Sequence, residues 1–303
     1  MAHSAISTVP LIDFAPFVEG DRAARQQVAA EIYAACQEVG FMYLRNSGIS
    51  EDLVDRLFAE AKQFFALPAE VKEQGARSDA TNCGYIGFRR ERLNPANPWD
   101  LKEAFNVGKE SVWATQTAFQ QVMLEFYELG RTVVSPQVLR AFAIALQLPE
   151  DFFAFKHGQN HFLRLLHYPP LTAAPKAGQL RAGEHTDYGS ITLLLQDAIG
   201  GLEVRIRTGE WIAAPPIPGT IVVNVGDAMQ RWTNDRLCST PHRVRIPTGE
   251  DAGRSRYSVA LFCDPNPDVE LACLESCHSP DCPARYAPIL AGDYLASRLA
   301  ATY

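Results

Sequence analysis

Three features that would indicate a membrane-bound, secreted or nucleic-acid-binding protein are missing from this sequence. No stretch approaches the ~18 consecutive apolar residues of a membrane span, and the first residues resemble neither the cationic nor the apolar part of a secretory leader. No basic block occurs, and 28 Lys and Arg against 35 Asp and Glu give a formal net charge of −7. We therefore expect a cytoplasmic protein that acts on a small molecule, without a nucleic-acid, membrane or obligate protein partner.

The cysteine content does not favour a disulfide framework. Seven cysteines are an odd number, and in the absence of a secretory leader they indicate reduced thiols. Three thiols and one imidazole in one short segment have the chemistry to bind zinc: Cys273, Cys277, His278 and Cys282. Their spacing fits no common zinc motif, and the two prolines among and beside them favour a surface loop.

The length and the apolar content indicate one large folded unit. A chain of 303 residues with 47% hydrophobic composition can bury a substantial core. Helical spacing of apolar residues dominates residues 1–150, whereas short apolar or alternating segments dominate residues 151–303. We expect the mostly helical first part to pack against a strand-rich second part.

The first part contains clear signals for the starts and ends of elements. Residues 21–38 place apolar residues at helical intervals, and Gly40 is typical of the position just beyond a helix end. Phe41 to Leu44 reads as a strand, and Ser50 can cap a second helix. A longer helical stretch from Thr115 to Leu148 should kink at Pro136.

The second part consists mainly of predicted strands, followed by a short closing helix at residues 292–303. Short strands separated by Gly, Pro, Asn or Asp turns are typical of a sandwich or barrel. The predicted strands are Phe162–Tyr168, Ile191–Gln196, Leu202–Ile206, Gly219–Asn224, His242–Ile246 and Tyr257–Cys263.

One stretch of the second part contains residues suited to bind a metal and an acid. Side chains at positions i and i+2 of a strand point the same way, so His185 and Asp187 can bind one metal, and His242 can complete the set from another strand. Two histidines and one carboxylate are the ligands of non-haem Fe(II) oxygenases. Arg256 and Ser258 show the same alternation and can grip a carboxylate.

Taken alone, a His-x-Asp tripeptide more often forms a surface turn or a satisfied polar pair than a metal site. The neighbouring motifs change that interpretation because they occur together and in order. With the metal-binding stretch, they resemble the 2-oxoglutarate and Fe(II)-dependent oxygenases of the isopenicillin N synthase-like family, and the opening segments Val9–Phe14 and Gly40–Ile49 resemble its amino-terminal half. The motifs are Gly200–Val204, Asn224–Asp227, Ser239–Val244 and Arg256–Phe262.

The resemblance implies a fold and a set of roles. It implies an α+β protein with a double-stranded β-helix (jelly-roll) core, buttressed by helices mostly from the first half. It makes His185, Asp187 and His242 the iron ligands and directs the distal carboxylate of 2-oxoglutarate to Arg256 and Ser258. The list of expected co-substrate contacts also includes Tyr168 and Arg164.

The sequence departs from the family pattern at two places, and neither removes an expected iron ligand or the expected carboxylate anchor. Plant members commonly have Asn where this chain has Leu166, so one polar contact is missing or is supplied by Arg164. The segment from His242 to Arg256 is longer than usual, and residues 247–253 read as an extended hairpin loop. Three further polar residues are expected to have structural or supporting roles: Asp227, His161 and His167.

Residues 82–108 lack regular periodicity and are expected to form a loop that helps to cover the substrate. Loops on a rigid scaffold often carry binding residues. The alternative is that the arginines form a solvated face and the aromatic side chains pack beneath the loop. The candidate substrate-binding residues are Tyr85, Phe88, Arg89 and Arg90, and together with Arg92 the arginines suggest an anionic substrate.

The resemblance implies that Fe(II), 2-oxoglutarate and dioxygen are used to hydroxylate or desaturate a small molecule. Three alternatives stay open at this point: an oxidase of the isopenicillin N synthase or aminocyclopropane-carboxylate oxidase kind, an ethylene-forming type of enzyme, and a non-catalytic ligand sensor on the same scaffold. The primary substrate is not encoded in any motif.

Overall fold

The computed structural model describes residues 8–94, 97–108, 111, 113, 117–171 and 173–300, without the side chain of Glu250. No helix within these ranges has both the length and the apolar content to cross a membrane. The strands are β1 Leu11–Asp13, β2 Phe41–Arg45, β3 Gly84–Ile86, β4 Glu103–Val107, β5 Asn160–Tyr168, β6 Ala182–His185, β7 Ile191–Gln196, β8 Leu202–Arg205, β9 Trp211–Ala213, β10 Thr220–Val225, β11 His242–Val244, β12 Arg256–Asp264, β13 Glu270–Leu271 and β14 Ile289–Leu290. The α-helices are α1 Ala15–Glu19, α2 Arg22–Glu38, α3 Glu51–Phe65, α4 Ala69–Lys72, α5 Ala118–Leu129, α6 Ser135–Ala145, α7 Asp227–Trp232 and α8 Ala291–Ala300.

Two sheets face each other, and helices cover the outer side of the larger one. The large sheet has eight strands in the order β1-β2-β10-β7-β12-β5-β4-β3, and the small sheet has four in the order β6-β11-β8-β9. One apolar cluster joins residues of both sheets, such as Tyr168 and Val222 with Val204. A larger cluster joins the other face of the large sheet to the helices. Because β1 to β4 belong to the large sheet, the first half of the chain forms part of the sheet as well as its helical cover.

The alternation of side chains along the central strands separates the helical core from the space between the sheets. In β12, Val259 and Leu261 are fully buried on the helical side. The intervening residues Ser258, Ala260 and Phe262 line a cavity on the opposite side. Every second residue of this strand therefore faces the candidate site.

The helix signals predicted from the sequence are confirmed. The Asp21 side chain accepts a hydrogen bond from the Ala24 amide at 2.9 Å, and Ser50 accepts one from the Leu53 amide at 3.2 Å. Gly40 follows α2 with φ +76°, and a Cβ at this position would lie 2.4 Å from the Cys238 carbonyl oxygen. Glycine is needed there for both its backbone conformation and its lack of a side chain.

The long helical stretch around Pro136 is interrupted one turn earlier than the proline itself. Helix α5 ends at Leu129, a π-helical turn spans Gly130–Val134, and α6 begins at Ser135. Proline has no N–H to donate, and its ring clashes with the carbonyl four residues earlier. The wider π-turn accommodates that defect without separating the two helices.

Two expectations about the loops are wrong, and one strand has different bounds than expected. Residues 82–108 contain β3 and β4, which extend the large sheet, and the polar residues Glu103 and Asn106 within β4 hid its strand pattern. The strand expected from the spacing of His185 and Asp187 is β6, but it ends at His185, before Asp187. Residues 247–253 do not form a hairpin loop, since they connect β11 of the small sheet to β12 of the large sheet and contain a 3₁₀ turn.

A buried polar network fixes the outer end of the large sheet. Glu103 accepts hydrogen bonds from Lys72 Nζ at 2.8 Å, from His167 Nδ1 at 2.6 Å and from the Tyr85 hydroxyl. His167 also contacts Ser255 Oγ at 3.0 Å through Nε2. Burial raises the pKa of Glu103, but the hydrogen bonds from its three partners outweigh that effect and lower it. Glu103 is therefore an ionised anchor between α4, β3, β4 and β5.

This network predicts a pH-dependent contribution to stability. Because the pKa of Glu103 is lower in the folded state, its ionised form stabilises the fold above its unfolded pKa of about 4.3. That stabilisation is lost as the pH falls through the folded-state value. Glu103→Gln should lower the free energy of unfolding by about 3–5 kcal/mol at neutral pH, and the deficit should shrink below a pH of about 4. Urea unfolding over a pH series measures both effects.

The matched control is Glu125→Gln. Glu125 pairs with Arg56 on the surface, where its side chain is 50% exposed, so its loss should change the free energy of unfolding far less than Glu103→Gln does. A deficit for Glu103→Gln that is equally small, or that does not change with pH, would contradict the anchoring role.

Candidate metal and acid-binding site

Three side chains converge at the open end of the small sheet. His185 ends β6, and His242 begins β11 directly opposite it in the strand register. Asp187 follows β6, with its Oδ1 atom 4.0 Å from His185 Nε2 and 3.7 Å from His242 Nε2. One ligand atom from each residue lies within 4.8 Å of the others, a spacing at which one ion can contact all three.

Backbone carbonyls set the orientation of both imidazole rings. His185 Nδ1 donates to the Gly183 carbonyl at 2.8 Å, and His242 Nδ1 donates to the Thr240 carbonyl at 3.1 Å. A carbonyl oxygen can only accept, so each Nδ1 carries the proton and each Nε2 presents a lone pair. This is the arrangement that orients histidine for a metal.

The Asp187 carboxylate is oriented by two side-chain donors. Its Oδ2 atom accepts hydrogen bonds from Thr192 Oγ1 at 2.6 Å and from Asn224 Nδ2 at 2.7 Å. The Oδ1 atom is thereby left to face the histidines. The role of Thr192 was not predicted from the sequence, and Asn224 was recognised there only as part of a motif. The i+5 spacing of Thr192 from Asp187 across a turn gave no signal for this contact.

The electrostatics of the three residues suit a cation. Burial, with His242 as neighbour, lowers the pKa of His185, so its ring is neutral at physiological pH. Burial alone would raise the pKa of Asp187, but the two histidines, Asn224 and Thr192 lower it and keep the carboxylate ionised. Neutral imidazole and ionised carboxylate are the protonation states that bind metals.

The donor set fits Fe(II). Two imidazoles and one carboxylate on one side of a site leave the other coordination positions open. Within the described part of the chain, this is the one group of His, Cys, Asp and Glu side chains close enough to share an ion. Cys273, Cys277, His278 and Cys282 do not form such a group, although all four lie in described segments.

A cavity of about 410 Å³ lies beside these ligands, between the two sheets. One wall is the antiparallel pair of β5 and β12, in which alternate residues from each strand face the cavity. From one end to the other the facing pairs are Arg256 with Tyr168, Ser258 with Leu166, Ala260 with Arg164, Phe262 with Phe162, and Asp264 with Asn160. This cavity is large enough for two small molecules side by side.

Arg256 forms a buried cationic end of the cavity. It is 1% exposed, and its guanidinium donates to Ser258 Oγ at 3.2 Å and to Gln196 Oε1 at 3.0 Å. It lies 4.9 Å from the centre of the Tyr168 ring. Its Nε has no hydrogen-bond partner, and no carboxylate of the described residues forms a salt bridge with it. A buried cation of this kind favours a bound anion.

A second guanidinium next to Arg256 was not anticipated from the sequence. Arg181 is fully buried and donates to the Arg254 carbonyl at 2.7 Å, while its Nε and Nη1 atoms have no hydrogen-bond partner. Burial and the charge of Arg256 lower the pKa of Arg181. Arg181 does not line the cavity, but its charge adds to the positive potential at this end.

Arg164 lies midway along the same wall and belongs to a balanced set of charges. It hydrogen-bonds to Glu91, and Lys102 Nζ lies 3.7 Å from Glu91 and 3.3 Å from Asp100. Leu166 faces the cavity opposite Ser258, so its side chain offers no polar contact at this position.

The predicted substrate-binding residues of segment 82–108 lie outside this cavity. The Tyr85 side chain is buried in the Glu103 network. Phe88 is 41% exposed, with Arg89 over its ring at 5.1 Å, and Arg90 is exposed. His161, which bonds to Ser135, also lies away from the cavity. From this region of the chain, the cavity is lined instead by Asp79, Ala80, Thr81, Asn82, Leu93 and Lys102.

Helix α8 covers part of the cavity. Leu295 and Leu299 line it, and Arg298 lies 4.8 Å from the centre of the Tyr188 ring. Asp227, at the start of α7, accepts a hydrogen bond from the Tyr294 hydroxyl at 3.0 Å. Asp227 also accepts a hydrogen bond from the Ser239 hydroxyl at 2.6 Å. It therefore connects the closing helix α8 to the segment that precedes β11.

Comparisons with known proteins agree with this geometry. Residues 9–124 match the family described as "non-haem dioxygenase in morphine synthesis N-terminal", and residues 159–265 match the "2OG-Fe(II) oxygenase superfamily". The 2-oxoglutarate-dependent dioxygenase htyE of Aspergillus rugulosus is 33% identical over 300 residues, which cover 89% of this chain and 91% of that protein. The proline hydroxylase buaE of Petromyces alliaceus is 36% identical and covers 97% of this chain and 99% of that protein.

Solved structures show the same architecture. A full-length protein of Neurospora crassa, crystallised with alpha-KG (2-oxoglutarate) and thymine, superposes with a TM-score of 0.90 at 36% identity, covering 99% of each chain. The predicted α+β jelly-roll is confirmed by this agreement.

The hydroxyl of Thr192 should control metal affinity through Asp187. Thr192→Val keeps the size of the side chain but removes one donor to Oδ2, so the carboxylate is less well oriented. The Kd for Mn(II), measured by titration calorimetry, should rise by about 10–100-fold. Thr132→Val, on the helical layer, is the matched control and should not alter it. Unchanged Mn(II) affinity in Thr192→Val would show that the hydrogen bond does not tune the site.

The hydrogen bond from Tyr294 should hold α8 in place. Tyr294→Phe removes the donor to Asp227, so local opening should become easier by about 1 kcal/mol. Hydrogen–deuterium exchange of residues 291–300 should accelerate about fivefold. Tyr286→Phe removes a comparable bond to Asp235 and should leave exchange of α8 unchanged. Equal exchange rates in wild type and Tyr294→Phe would show that this hydrogen bond does not hold α8 in place.

Proposed function

Because this chain belongs to the isopenicillin N synthase-like family of 2-oxoglutarate- and Fe(II)-dependent oxygenases, we propose roles for the residues that converge in its cavity. It is a 2-oxoglutarate-dependent Fe(II) dioxygenase that acts on a small molecule. The proposal assigns Fe(II) to His185, Asp187 and His242, and the distal carboxylate of 2-oxoglutarate to the Arg256 end. The main support for this proposal is that the cavity contains both a cluster of two histidines and one carboxylate and the buried guanidinium of Arg256, which forms no salt bridge with any described residue.

The protein residues prepare both sites before the reactants bind. The carbonyls of Gly183 and Thr240 keep the imidazole lone pairs directed inward. Bound Fe(II) supplies the redox chemistry by which dioxygen and 2-oxoglutarate yield succinate, carbon dioxide and an oxidised substrate. The protein contributes position and exclusion of water.

The co-substrate carboxylate is held at a place where it compensates a buried charge. Arg256 offers its guanidinium, Ser258 its hydroxyl, and Tyr168 a ring that packs on the guanidinium face. A bidentate, charge-assisted contact is strong and geometrically specific. The neighbouring charge of Arg181 adds to the attraction without a direct contact.

The substrate then occupies the other half of the cavity. Along β12, the residues beyond Ser258 are Ala260, Phe262 and Asp264, and all three line the cavity. On β5, Arg164 and Phe162 face the same space. This half combines aromatic rings with donors and acceptors, which suits a small polar ring. In this proposal Arg164 belongs to the substrate half as well as bordering the co-substrate.

We infer a small nitrogen-containing ring compound as the substrate class. The Neurospora crassa protein holds thymine in its crystal structure, and buaE carries the name proline hydroxylase. Thymine is the first compound to test and L-proline the second. The exposed Arg89 and Arg90 lie outside the cavity, so the anionic substrate that they suggested has less support from the geometry.

Succinate formation tests the proposal. Protein loaded with Fe(II) without oxygen is mixed with 2-oxoglutarate and either thymine or L-proline, and air is then admitted. Succinate should form at least tenfold faster with one compound than without it. His185→Ala should abolish turnover, and Arg256→Ala should raise the KM for 2-oxoglutarate by about 10–100-fold, as expected for loss of a hydrogen-bonded charge.

The matched control is Arg285→Ala, which removes an exposed guanidinium paired with Asp235 and should keep the wild-type KM. Succinate formation that is as fast in Arg256→Ala as in wild type would contradict the anchor. No succinate with any compound, while Fe(II) still binds, would contradict the proposed reaction.

A further inference from the structure

The cavity-facing side of β12 has charged residues at its two ends, and only one of them has a role so far. Arg256 begins the strand, and Asp264 ends it eight positions later with the same orientation. At ~3.3 Å per residue these positions are roughly 26 Å apart along the strand. Asp264 therefore lies beyond the space assigned to 2-oxoglutarate, in the substrate half of the cavity.

The Asp264 side chain is buried, yet the protein gives it no partner. It is 8% exposed, and no described residue donates a hydrogen bond to its carboxyl group or forms a salt bridge with it. The other acids beside the cavity are paired: Glu91 with Arg164, and Asp100 with Lys102. Burial of a carboxyl group without a hydrogen-bond donor is unfavourable. Asp264 therefore does not stabilise the fold in its present surroundings.

The Asp264 carboxyl group fits beside the neighbouring backbone only because residue 189 is a glycine. Gly189 packs against it so closely that a Cβ at position 189 would lie 1.9 Å from Asp264 Oδ1. The contact is made by a residue that adds no donor side chain. Burial, together with the charge of Asp187, raises the pKa of Asp264 to about 7, as expected for a carboxyl group that lacks a cationic neighbour.

We propose that Asp264 recognises the substrate by accepting a hydrogen bond from an N–H group, either neutral or cationic. The proposal rests on the function proposed above and specifies the chemistry of its substrate. In its ionised form the Asp264 carboxylate is an acceptor-only group, and an N–H donor beside it favours that form. It therefore selects a compound that carries N–H over an isostere that carries C–H or N-methyl at the same place. Asn160 faces Asp264 across the ladder, but its Nδ2 donates to the Pro265 carbonyl at 3.4 Å and not to Asp264.

Two pairs of compounds test this selection, since the members of each pair differ in N–H groups. One pair is thymine and 1,3-dimethylthymine, and the other is L-proline and cyclopentanecarboxylate. Dissociation constants are measured by calorimetry, without oxygen, on protein that contains Fe(II) and 2-oxoglutarate. Wild type should prefer the N–H member of at least one pair by tenfold or more. Asp264→Leu should remove that preference, and Asp264→Asn should reduce it.

Three controls separate recognition from a structural effect. Asp268→Leu changes an exposed acid four residues further along and should retain the wild-type preference. A structural defect in Asp264→Leu would weaken both members of a pair equally, whereas loss of recognition weakens only the N–H member. Thermal unfolding should show Asp264→Leu to be as stable as wild type or more stable, because an unpaired buried acid is removed.

The outcomes for Asp264 and for the proposed function can be told apart. A preference that persists in Asp264→Leu overturns the assignment of Asp264, even if succinate forms. The same assignment is overturned if wild type binds both members of each pair equally or binds none of the four compounds. Absence of succinate in air, combined with a preference that depends on Asp264, overturns the proposed reaction and leaves the binding role intact.

Discussion

The antiparallel pairing of β5 with β12 is the constraint on which the site depends. Nine consecutive positions are in register, from Arg256 opposite Tyr168 to Asp264 opposite Asn160. Because side chains alternate between the two faces, a shift by one residue would exchange the leucines of the helical core with the polar residues of the cavity. Burial of Val259 and Leu261 against the helices thus fixes the direction of Arg256, Ser258 and Asp264. The apolar core and the polar site are two consequences of the same register.

Charge is distributed unevenly along that ladder. One end combines two buried guanidinium groups, Arg256 and Arg181, the middle has the balanced pair of Arg164 and Glu91, and the far end has the unpaired acid Asp264. In our proposal, 2-oxoglutarate binds at the positive end and at the metal, and a compound with N–H groups binds at the other end. The proposed order of the two reactants in the cavity follows the order of these residues along β12.

Much of this arrangement was predictable because it depends on short-range patterns. The spacing of His185 and Asp187, the alternation of Arg256 and Ser258, and the helix cap at Ser50 each follow from local geometry, and the motifs around them indicated the family. The strands β3 and β4 were not predicted, because their polar or glycine residues are buried by contacts with distant segments. Thr192, Arg181 and Asp264 were missed for a related reason. Their significance comes from which groups the fold places, or does not place, beside them.

The assignment of Fe(II) and 2-oxoglutarate to these residues can be tested with a crystal structure of the protein that contains both, grown without oxygen. One metal ion should be bound by His185 Nε2, Asp187 Oδ1 and His242 Nε2, and the distal carboxylate of 2-oxoglutarate should lie about 2.7–2.9 Å from the Arg256 guanidinium nitrogens. The Asp264 half of the cavity should stay open to a second molecule. A 2-oxoglutarate carboxylate bound near Arg164 or Lys102 instead, with Arg256 uncontacted, would contradict this assignment.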